Sequence, residues 1–378
     1  MKKMRRTWMA GLLTVCLVGS LAACGGKQGA AAGSAGGGTA AGAGVGETAA
    51  GTSGGDTSAA VKEENKTDKP EYVLKVAHTH AVGSLIDTAL NDLAARISEN
   101  TGGKVVCEFY PAGQLGDKIA NMESIRAGTL EACEAAITDM SSFNDAWSVF
   151  CMPFLFENSD QCYQVYSDRD FKNYLEQDAN EAGYHLLSFI NVGARSLLSP
   201  KKVFASPKDC KGIKIRSLQD KYVARTMELM GFSVVPLGWT EVYTALQQGT
   251  VDAADNSAPL LRDAMLYEVA DKFTVFEAVR MPDIIVLSKN TWDSFSPEIQ
   301  EQIDKACDEY LQAQWASYEK LEADALKEFE DKGVTIGRID EAGMEEFKTA
   351  TQPVYDQLFQ DVPAAKEIYD ELLKAKGN

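Results

Sequence analysis

A strand, a helix and a second strand are predicted in residues 72–110, which have the sequence YVLKVAHTHAVGSLIDTALNDLAARISENTGGKVVCEFY. The two ends of this stretch, residues 72–77 and 105–110, are rich in the β-branched and aromatic side chains that favour strands. Between them apolar residues recur at helical spacing, and the pattern stops at Gly102 and Gly103. These apolar residues are Leu85, Ala89, Leu93 and Ile97. Such alternation is typical of α/β folds with mainly parallel sheets.

The same alternation continues along the chain and ends in two helical tracts. Further strands are predicted at residues 186–191, 213–217 and 284–288, and a further helix at residues 119–128. The first helical tract, residues 296–333, begins with a serine cap, a proline and an acid, and is long enough to span two lobes. A second tract follows at residues 341–374. Because the part from residue 71 onward is larger than one core usually holds, we predict two lobes.

The N-terminal residues predict secretion and lipid attachment. Four basic residues precede an apolar run at residues 8–18, which is too short to cross a bilayer as a permanent helix. The sequence Leu-Ala-Ala-Cys that ends at Cys24 resembles a bacterial lipobox, in which the cysteine is lipidated and becomes the new N-terminus. We therefore predict a signal peptide at residues 1–23 and a lipid on Cys24. The alternative is an ordinary signal peptide in which Cys24 is incidental.

Composition predicts a tether after the signal and excludes some partners. Residues 25–60 contain 13 Gly, 11 Ala and no aromatic residue, so they cannot bury enough surface to fold. We predict a lipid-anchored flexible tether over residues 24–70, with a reach of about 30–35 Å. The net charge of −18 argues against nucleic acid and anionic membrane surfaces as partners. A bound anion would therefore need specific buried cations.

Motifs for catalysis are missing from the sequence. It contains no nucleophile elbow, no zinc-protease motif and no phosphate-binding loop, and only three histidines. His78 and His80 alternate on one predicted strand, but no third metal ligand is apparent. We therefore predict no metal, no cofactor and no enzymatic activity. No C-x-x-C motif occurs among the cysteines, and the sequence leaves their pairing open.

One arginine lies at the end of a predicted strand, in the sequence KGIKIR at residues 211–216. Ile213 and Ile215 point to one face of this strand, and Lys214 and Arg216 point to the other. A rigidly held guanidinium can bind a carboxylate through two parallel hydrogen bonds. On these residues alone, a surface arginine paired with a nearby acid is the alternative.

Several segments together resemble the solute receptors of TRAP (tripartite ATP-independent periplasmic) transporters, of the dicarboxylate-receptor (DctP-like) type. They keep the family's order and spacing across roughly residues 72–330. The matching segments are FYPAGQLG at 109–116, RAGTL at 126–130, GAR at 193–195, SPKDCKGIKIR at 206–216, VPLGWTEVYTALQQG at 235–249, VD at 251–252 and DN at 255–256. Ala253 and Ser257 replace the glycine and proline that are usual around Asn256.

The resemblance implies a two-lobed α/β fold like that of periplasmic binding proteins. Crossover strands join the lobes, a long helix spans both, and the ligand lies in the cleft between them. Lobe I is predicted to comprise residues 71–192 and 281–320. Lobe II is predicted to comprise residues 193–280 and 321–378.

The resemblance also implies the residues of the ligand site. In the family, the arginine that matches Arg216 forms the bidentate salt bridge to the ligand carboxylate. The residues that match Arg195 and Asn256 contact the same group or its neighbour, and Trp239 lies where a bulky side chain packs against the ligand. Other pocket positions match Gln219, Thr79 and Thr138 less securely.

The implied function is that of an extracytoplasmic receptor, which binds a small organic carboxylate and delivers it to TRAP-type membrane permease subunits. The lipid anchor would hold it on the outer face of the cell membrane, at the cell surface or in the periplasm. The alternatives are a ligand-sensing lipoprotein that signals to a membrane kinase, a lipid-anchored hydrolase, which no motif supports, and a structural lipoprotein. The sequence leaves open which carboxylate is bound.

The anchor can be tested by substitution of the predicted lipid-bearing cysteine. We expect Cys24→Ser to move the protein from the membrane fraction to the soluble extracytoplasmic fraction, because the polar tether alone has no affinity for a bilayer. The measurement is fractionation followed by immunoblotting. Retention of the variant in the membrane fraction would show that the lipid does not hold the protein there.

Overall fold

The computed structural model of the chain describes residues 69–377. The predicted signal peptide, the lipid site at Cys24 and nearly all of the predicted tether lie outside the described residues. Within the described range, every helix is too short or too polar to cross a lipid bilayer. The six cysteines of this range carry free thiols, of which Cys107 is half-buried and the others are buried.

The described residues alternate between strands and helices, as the sequence predicts. The strands are β1 (Tyr72–Ala77), β2 (Val105–Tyr110), β3 (Ala132–Ala136), β4 (Tyr184–Ile190), β5 (Ala194–Ser199), β6 (Lys214–Ser217), β7 (Ser233–Pro236), β8 (Ala254–Asn256), β9 (Lys272–Arg280), β10 (Asp283–Ser288) and β11 (Thr335–Arg338). The α-helices are α1 (Leu85–Asn100), α2 (Lys118–Arg126), α3 (Ser159–Tyr166), α4 (Arg169–Glu181), α5 (Pro207–Cys210), α6 (Lys221–Leu229), α7 (Val242–Gln247), α8 (Ala258–Asp263), α9 (Lys289–Ser294), α10 (Pro297–Asp331), α11 (Glu341–Thr351), α12 (Pro353–Asp361) and α13 (Pro363–Ala375).

The first sheet has the strand order β2-β1-β3-β10-β4. Strands β1, β2 and β3 run parallel, as the prediction from residues 72–110 requires, whereas β10 runs antiparallel to both of its neighbours. Apolar clusters cover both faces of this sheet, with Trp147 and Phe150 on one face and α1 with Tyr310 on the other. This burial explains why β4 and β10 are buried along their whole length.

The second sheet has the order β11-β9-β5-β8, and β6 and β7 form a separate parallel pair beside β8. Strand β5 is antiparallel to both β8 and β9, whereas β11 is parallel to β9. Both sheets therefore contain parallel and antiparallel pairs, so the prediction of mainly parallel sheets holds only in part. The antiparallel pairing of β5 with β9 arises because these two strands carry the chain between the sheets in opposite directions.

Two short connections join the sheets, at residues 191–193 between β4 and β5 and at residues 281–282 between β9 and β10. The long helix α10 makes the third connection. Its N-terminal half packs in the core of the first sheet through Ile303 and Tyr310, and its C-terminal end packs against the second sheet through Phe329. The prediction of an α/β fold with crossover strands and a long helix that spans both lobes is confirmed.

The predicted C-terminal helix, residues 341–374, is broken by prolines into α11, α12 and α13, because proline cannot continue a helix through its interior. Helix α11 packs in the second half of the molecule through Phe347. By contrast, α12 and α13 join the core of the first sheet, where Ile368 and Leu372 cluster with Phe150. The predicted lobe boundaries, including the assignment of residues 321–378 to lobe II, stay predictions.

The connection at residues 191–193 is held against α10. Gln314 accepts from the backbone N–H of Asn191 (2.8 Å) and donates to its carbonyl (3.0 Å), and the Tyr318 hydroxyl donates to the carbonyl of Val192 (3.1 Å). Gly193 has a φ of +80°, and a Cβ at this position would overlap the Tyr318 hydroxyl. The close packing of this crossover therefore requires glycine.

A matched pair of glycine substitutions tests this packing. Gly212 has nearly the same φ, +78°, but nothing lies within 4 Å of its would-be Cβ. Gly212→Ala should cost about 1 kcal/mol from backbone strain alone. Gly193→Ala should cost about 1–3 kcal/mol more, because Tyr318 must also move. Urea unfolding of both variants measures the difference, and equal stabilities would contradict the packing argument.

Candidate functional site

The sequence elements of both halves converge on one cavity. The parallel strands β1, β3, β6 and β7 present their carboxyl ends to it, which is where α/β sheets generally bind ligands. The space among the lining residues, including the open mouth, is about 480 Å³. The lining residues are His80, Asp117, Lys118, Ile119, Ala136, Asp139 and Asp283 from the first half, and Arg195, Arg216, Leu218, Gln219, Leu237, Gly238, Trp239, Asn256 and Leu260 from the second.

Arg216 is a buried cation that forms no ion pair within residues 69–377. It is 2 % exposed, and its Nε donates to the carbonyl of Leu237 (3.0 Å), while Nη1 has no hydrogen-bond partner among residues 69–377. Its guanidinium carbon lies 5.7 Å from the ring centroid of Trp239. Burial lowers the pKa of Arg216 to about 10, which still leaves the group charged at neutral pH. The cavity therefore holds a positive charge that an anion would neutralise.

Arg195, in contrast, is neutralised within the protein. Its Nε pairs with Asp255 Oδ2 (2.5 Å), its Nη2 donates to the Asp255 carbonyl (2.8 Å), and its Nη1 donates to Asn256 Oδ1 (3.3 Å). Strands β5 and β8 bring these residues together because Ser196 and Asn256 are partners in the antiparallel register. Arg195 and Asn256 thus form a rigid polar floor beside Arg216.

Trp239 and Gln219 also line the cavity. Trp239 begins a short 3-10 helix after β7 and faces His80 at a ring-centroid distance of 5.5 Å. Gln219 follows β6 directly and is largely exposed. Five of the predicted ligand-binding residues, including Arg216, are therefore brought to one cavity, and their contact with a ligand stays a prediction.

Thr79 and Thr138 are not among the cavity-lining residues. Both are buried, and neither hydroxyl has a hydrogen-bond partner in the described part of the chain. Their sequence neighbours His80 and Asp139 line the cavity instead. His80 lies in a bend after β1, and Asp139 lies in a 3-10 helix (Ile137–Ser142) after β3, so the turn geometry after each strand decides which side chain faces the cleft. Contact of the two threonines with a ligand stays a prediction.

The wall opposite Arg216 carries a buried lysine between two acids. Lys118 Nζ contacts Glu134 and Asp283, the latter at 3.0 Å. Burial opposes the charge of Lys118, but the two acids outweigh this effect and raise its pKa above the ordinary value. Burial raises the pKa of Glu134 well above its usual range, whereas Lys118 keeps the pKa of Asp283 low. We interpret the two carboxyl groups as sharing one proton, which leaves the cluster neutral.

Two further acids lie on the same wall. Asp139 Oδ2 accepts from the backbone N–H of Ala136 (2.8 Å), and burial raises the pKa of the Asp139 carboxyl to about 6. Asp117 Oδ1 is buried without a hydrogen-bond partner in the described range. Asp117 Oδ2 lies close to Gly238 of the opposite half, so a Cβ atom added to Gly238 would overlap this oxygen. The two walls of the cavity thus approach each other closely at this point.

A group of possible metal ligands also occurs in this wall. One atom from each of His80, Glu134 and Asp283 lies within 4.8 Å of the others. The Lys118 ammonium already contacts two of these three residues, so it supplies the positive charge that a cation would bring. Burial lowers the pKa of His80 well below its ordinary value, so its ring is neutral.

The sequence analysis did not find the acidic side of the cavity. The available signal was an acid within a strand of otherwise small or apolar residues, as in Ala132–Ala136 and Asp283–Ser288. Charged residues are rarely fully buried unless they are paired, so such an acid indicates a nearby cation. The identity of that cation, Lys118, depends on the packing of α2 and cannot be derived from spacing.

The fold and the cavity define a two-lobed solute-binding protein. The family model for bacterial extracellular solute-binding protein, family 7 (DctP), matches residues 76–361. The chain belongs to this family and is a TRAP-type solute receptor.

The similarity extends over most of this chain and over nearly the whole length of individual relatives. The C4-dicarboxylate-binding periplasmic protein DctP of Vibrio cholerae is 22 % identical, over 79 % of this chain and 89 % of the relative. A TRAP periplasmic solute-binding protein of Xanthobacter autotrophicus, solved with bound β-D-galacturonate, is 26 % identical with a TM-score of 0.74, over 80 % of this chain and 99 % of that chain. A second TRAP periplasmic solute-binding protein, from Anaerococcus prevotii, was solved with bound D-glucuronate. It is 25 % identical with a TM-score of 0.76, over 81 % of this chain and 98 % of that chain.

The raised pKa of Asp139 predicts a pH dependence of stability. A carboxyl group whose pKa is higher in the folded state than the ordinary 3.8 contributes stability below that value, and this contribution is lost as the pH rises through about 6. Asp139→Asn removes this titration, so its stability relative to the wild type should increase between pH 4 and pH 7 by at most about 3 kcal/mol.

Denaturant unfolding at several pH values measures this difference. Asp160→Asn, which changes an exposed aspartate on α3, is the matched control. If the free energies of unfolding of Asp139→Asn and the wild type differed by the same amount at every pH, the assigned burial of this carboxyl group would be contradicted.

Proposed function

We propose that this receptor binds a small organic carboxylate in the cavity between its two lobes and delivers it to a TRAP-type membrane permease. The observation that carries the proposal is the buried guanidinium of Arg216, whose Nη1 has no hydrogen-bond partner and which forms no ion pair among the described residues. A carboxylate loses its water on entering such a cavity, and charge-assisted hydrogen bonds must compensate for this loss. The planar fork of an arginine suits a carboxylate better than any other side chain does.

We further propose that the ligand is a sugar acid. Two structurally similar proteins were solved with galacturonate and glucuronate, each of which combines one carboxylate with several hydroxyl groups. The cavity lining offers several hydrogen-bond acceptors, among them the carboxylates of Asp117 and Asp139. A flat face at Trp239 suits the apolar side of a sugar ring.

Delivery would depend on closure of the cleft. A ligand that contacts Arg216 on one wall and Lys118 or its acids on the other stabilises the closed form, because it binds that form better than the open one. The closed form is then what the permease recognises. A lipid on Cys24 would keep the receptor close to the permease on the outer face of the membrane. The family consists of transport components without enzymatic activity, which agrees with a binding role.

The test of this proposal is the loss of binding on removal of the guanidinium. Arg216→Ala should weaken the binding of galacturonate by about 2–5 kcal/mol, which is the usual loss when one partner of a buried charged pair is truncated. Arg216→Lys should retain a fraction of the affinity, because an ammonium keeps the charge but not the fork. Isothermal titration calorimetry measures both variants.

Arg169→Ala is the matched control, because Arg169 is an exposed arginine on α4 that pairs with Asp308 at the surface. It should bind galacturonate like the wild type. Near-wild-type affinity in Arg216→Ala would refute the assignment of this residue as the carboxylate clamp.

A further inference from the structure

The cavity has one uncompensated cation and a facing wall of acids. Of the cations that line it, Arg195 pairs with Asp255, and Lys118 contacts both Asp283 and Glu134, as described above. Arg216 alone among these lining cations lacks an acidic partner within residues 69–377. The number of ligand carboxylates that the cavity can neutralise is therefore one.

The facing wall consists of Asp117, Asp139 and Asp283, which we name the acidic wall. Ionised carboxylates accept hydrogen bonds but cannot donate them. Asp117 Oδ1 is buried and unpartnered, and the neutral ring of His80, 4 % exposed, keeps an unpartnered Nε2 at the same wall. Among the described residues, these buried groups lack the partners that buried polar atoms normally have, so they await a ligand that supplies them.

Hydroxyl groups meet this requirement, because each donates one hydrogen bond to a carboxylate and also accepts from a group such as His80. A second carboxylate does not meet it. It would be buried close to Asp117 and Asp139, with no free cation among the described lining residues to neutralise it, and a buried, unpaired charge is strongly unfavourable.

We infer that the acidic wall sets the specificity of this receptor: it selects acids with one carboxylate and several hydroxyl groups and rejects acids with two carboxylates. This inference rests on the proposed function, since it assumes that Arg216 holds the first carboxylate. It goes beyond that function because it assigns specificity to residues that do not contact the carboxylate clamp.

The test uses ligands that differ at one end only. Galactonate and galactarate share their hydroxyl groups, but galactarate carries a second carboxylate where galactonate carries a hydroxymethyl group. Titration calorimetry of the wild-type protein with galacturonate, galactonate, galactarate and succinate gives the four dissociation constants. We expect galactarate and succinate to bind on the order of 100-fold more weakly than the better of the two monocarboxylates.

Variants of the acidic wall should then lower the ratio of the galactarate dissociation constant to the galactonate dissociation constant. Asp139→Asn removes a negative charge and keeps the shape, so galactarate should gain affinity relative to galactonate by about 10-fold. Asp117→Asn is a second, independent variant and should change the ratio in the same direction. Glu99→Gln, on the exposed face of α1, removes the same charge away from the cavity and should leave the ratio unchanged.

The outcomes distinguish this inference from the function on which it rests. Equal affinity of the wild type for galactarate and galactonate would contradict the inferred role of the acidic wall. So would a ratio of their dissociation constants that stays unchanged in both wall variants. Neither result would contradict the role of Arg216 in binding the carboxylate. Absence of binding by every acid overturns the proposed function, and the inference with it. A ratio that falls in both wall variants but not in Glu99→Gln supports the inference.

Discussion

The structure depends on a positive charge that is buried in the cleft and forms no ion pair among residues 69–377. Burying a guanidinium is unfavourable, and here the penalty is only partly offset by the hydrogen bond from Arg216 to Leu237 and by the nearby indole of Trp239. The backbone holds the residue in place, because Arg216 N–H donates to the Ala253 carbonyl (2.9 Å), beside a bridge between Ile215 and Ala253. Binding of an anion would offset the remaining penalty of the buried charge.

The rest of the fold places an acidic wall opposite this charge. The N-cap of α2, the segment after β3 and the first residue of β10 supply that wall, and α10 together with the crossovers connects it to the half that carries Arg216. Gly238 and Asp117 approach each other across the cavity without room for another side chain. Small movements at residues 191–193 and 281–282 would therefore open or close the site as a whole. A molecule with an overall charge of −18 can bind an acid because its attraction is local rather than global.

The sequence predicted those parts of the fold that have a clear period. Strands β1 and β2 have the predicted bounds, and α10 begins at the predicted cap, where Ser296 accepts from the N–H of Ile299. Short strands such as β8, only three residues long, carry too little pattern to be recognised. The C-terminal tract was predicted as one helix because its apolar spacing continues past the prolines that break it.

The candidate site was predictable only where family motifs carry it. Arg216, Arg195 and Asn256 lie in such motifs, and the structure places them together. The acidic wall has no motif: Asp117, Asp139 and Asp283 come from distant segments that only tertiary packing brings together. For Thr79 and Thr138, the resemblance located segments that reach the cavity, and the side chains that line it there are those of His80 and Asp139.

The most direct measurement of the central claim is a crystal structure of the protein grown with galacturonate. The account predicts a closed cleft in which both carboxylate oxygens lie within about 3 Å of Arg216 nitrogen atoms, with the sugar hydroxyl groups directed at the acidic wall. A structure in which the carboxylate lies elsewhere, or in which the Arg216 side chain points into bulk solvent, would contradict it.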